Sequence, residues 1–415
     1  MKRYKWALLG LLRCAFFFHQ ADRALFGLLT IPIQADLGLT DLQIGFVNTA
    51  LFCTLAVTTP FAGILGDRFS RKWIITFSLL FWSLMTACTG FVGGLCGLIF
   101  FRSVATGGGE SFYGPSAYAL LATYHRETRA IAFSVHQSAL YVGLMFSGAL
   151  VAWAFRLLGG WRPVFFAFGG MGFALGIAFC FALKDRPSAA DATAAPSAAR
   201  DRPLPLGESV RAFLCNPAAL CAMGGYVAIV FTNNAYMSWA PKFFARKFET
   251  LTVGAAGFGS MFWHHLAALC AILVGGLVTD FLVRRNPRYR PLLQGVMMLL
   301  GAPTLVWVGF SQGIVTAWTA VAAYGVFRGF AEVNTHLSLF DVIAPKYRST
   351  SEGVMNFITF FIGSTSPLMF GALSDRYGVH GFEIGFAILA GVYVLGGCSL
   401  LVSHKFFFMK FRVEE

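Results

Sequence analysis

The chain has 415 residues, of which 57% are hydrophobic and only 12% charged, where an ordinary soluble domain carries about 25% charged residues. That deficit excludes a water-covered globular fold, a disordered chain and a disulfide scaffold, and the 45 Phe and 45 Gly suit a bundle that meets lipid outside and packs helices closely inside. The net charge of +13 leaves open polyanion binding, an anionic membrane surface or membrane orientation.

Crossing a hydrocarbon core of ~30 Å takes about 20 mostly apolar residues in a helix. The first such stretch, near 6–34, opens like a secretory leader, with Lys2, Arg3 and Lys5 ahead of an apolar run. No small-residue cleavage site follows and the apolar character resumes past Asp22-Arg23, so it is expected to stay as a helix. Further spans are expected near 43–65, 73–92, 94–121, 129–155 and 162–183. From Lys184 to Arg211 the chain turns polar, rich in Ala, Asp, Ser and Pro, a composition that cannot bury enough apolar surface to order itself. Spans resume near 215–240, 253–282, 289–311, 314–342, 349–373 and 382–404. The expectation is an all-α membrane protein of twelve helices: an N-terminal six-helix bundle over 1–184, a cytoplasmic linker over 185–214, and a C-terminal six-helix bundle over 215–415.

Loop charge then decides among the three readings of +13. With the N-terminus inside, roughly 22 of the 32 Lys and Arg fall in inner segments, as the positive-inside rule requires. Both termini are therefore expected in the cytoplasm, in the plasma (inner) membrane, and nucleic-acid binding loses its motive. The nine cysteines lie almost all in apolar stretches without Cys-x-x-Cys spacing, so no metal site is expected.

The two halves echo each other. Gly63-x-x-x-Asp67-x-x-x-Arg71-Lys72 follows the second span, and Gly276-x-x-x-Asp280-x-x-x-Arg284-Arg285 follows the eighth. Arg129 and Arg348 open the fifth and eleventh spans. Repeated halves around a midplane site are a recurrent plan of secondary transporters. At these residues the chain resembles the major facilitator superfamily over nearly its full length. Gly63 to Lys72 is similar to that family's loop 2–3 motif, with Ser70 where Gly is usual. The resemblance implies a conformational latch, Gly63, Asp67, Arg68 and Arg71 with Asp280 and Arg284 in the second copy; Arg68 and Lys72 equally suit a charge run that only sets topology.

An ionisable residue inside a span costs ~2.5–3.5 kcal/mol on insertion scales, so each is a candidate for function. They are Asp22 and Arg23 in span one, Arg102 and Glu110 in span four, and Arg328 and Glu332 in span ten. Asp22 and Glu110 sit near mid-helix, where desolvation disfavours the charged form; each can then take a proton on one side and release it on the other. The alternative for Asp22 is a fixed pair with an arginine of another helix. His19 shares the Asp22 face. Arg23, Arg102 and Arg328 are candidate anion binders, since guanidinium forks grip carboxylates in a bidentate manner. Aligning the halves puts Arg328 at the level of Glu110; it equally suits a pair with Glu110 or with Glu332.

Uncharged polar residues complete the expected lining. They are Tyr113 and Gln137 from the first half, and Asn233, Asn234, Tyr236 and Trp239 in span seven. His264, Asn334 and Asn356 add to them from spans eight, ten and eleven. Gly107-Gly108-Gly109 permits close helix approach or local unwinding beside Glu110 and lacks the Lys-Ser/Thr of a phosphate loop.

Two branches of the superfamily resemble this pattern. Asp22-Arg23, Arg102…Glu110 with Pro115, and Arg129 resemble the anion:cation symporters of sugar acids; the run from Glu110 through Pro115 to Arg129 and Gly143 also resembles the spinster-like carriers of lysolipids and sphingolipids. In both branches the Arg lies seven residues before the Glu, whereas Arg102 lies eight before Glu110. On a regular α-helix the extra residue turns Arg102 by about 100°, unless the helix bulges. The expectation is a monomeric proton-coupled symporter of a small organic anion such as an acidic sugar, with a spinster-like lipid exporter as the alternative. It uses protons and the bilayer, needs no cofactor beyond the proton gradient, and is not an enzyme.

Overall fold

The computed structural model describes residues 2–125, 128–184 and 206–413, and every regular element among them is helical. The chain divides into two compact units, Met1–Leu39 with Ala50–Arg202, and Thr40–Thr49 with Pro203–Glu415.

In the first unit α1 (Lys2–Leu28) is followed by the short α2 (Thr30–Leu37), which ends on Gly38 at φ 63°, the left-handed geometry that glycine adopts without strain. The long α3 (Asp41–Arg68) contributes its residues from Ala50 onward. After it, α4 (Arg71–Thr89) starts on Ser70, whose side chain accepts the Trp73 N–H. The fourth apolar stretch is interrupted: α5 (Leu95–Leu98) runs into a π-helix, Ile99–Ala105, then α6 (Thr106–Glu110), a turn, and α7 (Tyr113–Tyr124). Two unbroken helices, α8 (Arg129–Leu158) and α9 (Trp161–Ala182), close the unit.

Small residues decide how closely α4 and α9 approach. A Cβ on Gly169 would lie 2.6 Å from the Ala87 nitrogen, and one on Gly176 2.6 Å from the Leu80 side chain. This is the membrane mode of packing, where backbone contact replaces the hydrophobic drive that lipid removes. The core of the unit gathers Leu8, Leu12, Ile75, Trp82, Tyr113 and Leu120 from α1, α4 and α7.

The second unit begins with α10 (Leu206–Leu214), inside the stretch assigned from sequence to the linker. It orders because one face is apolar: Phe213 is fully buried against Leu339, Val342 and Met355. Then come α11 (Pro217–Lys247), α12 (Val253–Arg285), α13 (Tyr289–Phe310), α14 (Ile314–Glu332) and α15 (Thr335–Phe340). They are followed by α16 (Arg348–Gly363), α17 (Thr365–Tyr377), α18 (Val379–Val402) and the terminal α19 (Phe408–Phe411). Asn216 caps α11 by accepting the Ala218 and Ala219 N–H groups, with Pro217 at the first helical position. The start of α3 belongs to this unit. The Asp375 carboxylate accepts the N–H groups of Asp41 and Leu42 at 2.8 Å each, and Asp41 itself pairs with Lys242 and Arg246.

Ten helices among the described residues are long and apolar enough to cross a membrane. The two other expected crossings are helical as well, but α1 carries Asp22 and Arg23, and the fourth stretch is broken around Arg102 and Glu110. Outward faces are apolar to a degree that water would not tolerate, with Phe181 85% and Leu277 75% exposed. The molecule is an integral, multi-pass membrane protein.

Candidate functional site

The first unit joins four of the six intramembrane charges as two crossed pairs. From α1 come Asp22 and Arg23; the interrupted fourth stretch supplies Arg102 and Glu110. Arg102 Nη1 lies 3.3 Å from Asp22 Oδ2, and Arg23 Nη2 lies 3.0 Å from Glu110 Oε2. Arg102 also donates from Nη2 to the Asp22 and Arg23 carbonyls, at 2.8 and 3.1 Å, which ties the two segments together. Thr86 on α4 donates to Asp22 Oδ2 at 3.0 Å. His19 reaches Glu110 rather than Asp22, with Nε2 3.3 Å from Oε2.

The two pairs differ in access. The side chains of Asp22, Arg102 and Glu110 are 7%, 1% and 0% exposed, whereas Arg23 is 26% exposed. A guanidinium that holds a buried carboxylate on one side and keeps open surface on the other is the one positioned to meet a second anion.

The π-helix explains how Arg102 reaches Asp22. A π-turn takes one residue more than an α-turn, so Ile99–Ala105 absorbs the additional residue between Arg102 and Glu110. Thr106 secures the wide turn by donating its hydroxyl to the Phe101 carbonyl five residues back, at 2.7 Å. Glycine then lets the acid's segment come close: a Cβ on Gly109 would lie 2.8 Å from Phe81 and 3.2 Å from Trp82, and Ser78 donates to the Gly109 carbonyl at 2.6 Å.

A ring stack extends from this centre toward the start of α1. Phe16 lies against His136 with centroids 4.6 Å apart, and Tyr113 donates to the Leu12 carbonyl at 2.6 Å with its oxygen 3.3 Å from His136 Nε2. Gln137 is exposed and accepts the Tyr118 hydroxyl.

The second unit holds its own polar knot. Arg328 Nη2 lies 2.9 Å from Glu332 Oε2, and Nη1 donates to His264 Nε2 at 2.9 Å. Arginine has no acceptor, so that ring nitrogen is unprotonated. Tyr236 donates to the Ser260 carbonyl at 2.6 Å, Trp239 to the Pro367 carbonyl at 2.9 Å, and Asn334 to Thr279 at 3.1 Å. Asn233 and Asn356 are half-buried, while Asn234 is buried beside Gly363.

Of the latch residues, Arg71 donates to the Ala119 carbonyl and the Thr123 hydroxyl of α7. Asp280 and Arg284 are exposed on α12. The side chains of Gly63, Asp67 and Arg68 lie outside the described residues. Sequence reasoning missed Thr86 and Ser78, which carry no signal beyond being small and polar in an apolar helix. It also missed the Asp41, Lys242 and Asp375 cluster, where Asp41 at a helix start is the one legible cue. Among the described residues no group of His, Cys, Asp and Glu could hold a metal ion.

Residues 12–367 match the sequence profile of the Major Facilitator Superfamily. The chain is 26% identical over 412 residues to Protein spinster homolog 1 of Xenopus tropicalis, covering 90% of this chain and 76% of that one. It is 24% identical over 407 residues to the D-galactonate transporter of Escherichia coli O6:H1, covering 92% and 91%. Its fold is similar to that of a bacterial homolog of the human lysosomal transporter spinster, in an inward-facing and occupied conformation. There the TM-score is 0.84 at 18% identity, covering 100% of this chain and 99% of the other.

Proposed function

The chain belongs to the major facilitator superfamily and is a transporter rather than an enzyme, and we propose that it carries a small organic anion, an acidic sugar or a similar carboxylate, together with protons by alternating access. The observation that carries this proposal is the Arg23–Glu110 pair, a fully buried acid held by a partly exposed base. Protonating Glu110 removes the charge that holds Arg23, and the freed guanidinium offers two parallel N–H groups to a substrate carboxylate. Loss of the proton restores the pair and releases the anion. Asp22, paired with Arg102, is the second proton-coupling carboxyl. Arg328 with His264 and Glu332 supplies the polar recognition on the second unit. The protein works as a monomer in the plasma (inner) membrane with both termini in the cytoplasm, the orientation that the loop charges favour.

Purified protein in liposomes tests this. An imposed pH gradient is expected to drive uptake, and Glu110→Gln is expected to abolish that uptake while counterflow exchange of substrate continues. Loss of both activities would remove Glu110 from coupling. The second reading, a lipid carrier, is favoured by the similarity to spinster proteins in sequence and in fold. A thermal-shift screen with sugar acids and lysolipids separates the two, and stabilisation by lysolipids alone would select the lipid carrier.

A further inference from the structure

Asp22 uses only one of its oxygens in the pairing described. Thr86 and Arg102 both converge on Oδ2, while Oδ1 is buried and finds no hydrogen-bond partner among the described residues. Ser83, one turn before Thr86 on α4, has a buried hydroxyl in the same condition. Both side chains line one small cavity between α1, α4 and α9, with Thr86, Phe168 and Gly172 among its walls and ≈ 10 Å³ of room, about that of a single water molecule. Two wall residues that each carry a buried polar atom without a partner, around one water-sized space, make a site that water suits and an apolar ligand does not.

We propose that this cavity is a binding site for one water molecule, which bridges Asp22 Oδ1 and the Ser83 hydroxyl and hands the proton to and from Asp22. The transfer follows from which oxygen is open. A proton cannot settle on Oδ2 without displacing the Thr86 or Arg102 donor, so it arrives on Oδ1. The water, carrying the extra proton as hydronium, gives one proton to Oδ1 and remains as neutral water; deprotonation runs the same step backward, and only O–H bonds are made and broken. The charged and titratable groups around Asp22 are His19 and Arg23 on its own helix and Arg102 and Glu110 on the fourth stretch. At the cavity α4 and α9 present none, only Leu79, Trp82, Ser83, Thr86, Phe168 and Gly172. Among the described residues these walls offer no acid or base, which leaves a water in the space to carry the proton.

The water site stands on the cavity, whereas its role in transfer rests on the proton-coupled reading above, and two measurements keep the two apart. The first is infrared spectroscopy of the full chain in nanodiscs, exchanged between ordinary and oxygen-18 water. A weakly bonded water O–H stretch is expected in the parent protein. It is expected to disappear in Ser83→Ala, and in Gly172→Ala, whose new Cβ would stand 2.3 Å from the Ser83 oxygen and fill the space. A parent protein without the band, or a band that Ser83→Ala leaves in place, would overturn the site. The second is liposome uptake. Both variants are expected to slow pH-driven uptake at least about tenfold while counterflow stays within about twofold, as befits a lost proton relay rather than a lost substrate contact. Undiminished pH-driven uptake would overturn the relay, and uptake driven by a sodium gradient without the water band would make the cavity a cation site instead. If the parent protein ignores an imposed pH gradient, the proton-coupled reading fails and the relay falls with it, while the band alone decides the water site.

Discussion

Arg102 has 1% of its side chain exposed and makes three contacts at one place, with the Asp22 carboxylate and two α1 carbonyls. Removing one member of such a pair leaves an uncompensated buried charge, typically ~3–5 kcal/mol, whereas removing both can be nearly neutral. Arg102→Met is therefore expected to lower the thermal midpoint strongly, and the double variant with Asp22→Asn to recover most of the loss. A double-mutant cycle on thermal unfolding measures the coupling, and additive losses would mean that the two side chains act independently. That these residues stand apart was legible in sequence, because the cost of a charge at mid-span singles them out. Which acid meets which base was not. Asp22 and Arg23 are neighbours on one helix, pointing about 100° apart, and only the path of the fourth stretch decides that Arg102 takes the first and Glu110 the second. His19 shows the same gap: its spacing suggested Asp22, and the three-dimensional turn of α1 presents it to Glu110.

At the scale of elements, the π-helix is the feature that sequence posed as a question and could not answer. A spacing of eight from Arg102 to Glu110 allows either a rotated arginine or a widened turn, and the choice depends on whether burying the guanidinium against Asp22 outweighs the poorer backbone geometry. The buried pair decides in favour of the wide turn. Deleting Val104, a half-exposed residue within Ile99–Ala105, removes the residue that the turn accommodates. This deletion is expected to yield a folded protein within about 5 °C of the parent midpoint. An equivalent deletion of Leu84 in the regular α4 rotates Ser83 against Thr86 and is expected to abolish folding. If the two deletions behave alike, the π-turn is not taking up an inserted residue. Helix α10 makes the converse point. The polar composition of its surroundings hid an apolar position, Phe213, which finds a partner only once Leu339 and Met355 have been brought near.

For the whole molecule, the all-helical membrane fold and the superfamily were legible because lipid enforces the pattern: a span must be long, apolar and helical. The exceptions were equally informative, since α1 and the fourth stretch fall short of a plain span at the very residues that form the crossed pairs. Those pairs have an electrical consequence. Asp22 and Glu110 against Arg23 and Arg102 sum to zero formal charge. One proton and one monoanion together leave that sum unchanged, whereas a proton on each acid with one monoanion leaves it at +1. Each elementary charge moved through 100 mV is worth ~2.3 kcal/mol, so on the proton-coupled proposal the number of protons carried with each anion fixes whether a full transport cycle moves net charge. With a potassium diffusion potential set by valinomycin, uptake by the parent protein is expected to accelerate when the interior is negative. Asp22→Asn, limited to one proton, is expected to be indifferent to the same voltage. On the proton-coupled proposal, the membrane potential thereby becomes a counter of protons at two buried carboxylates.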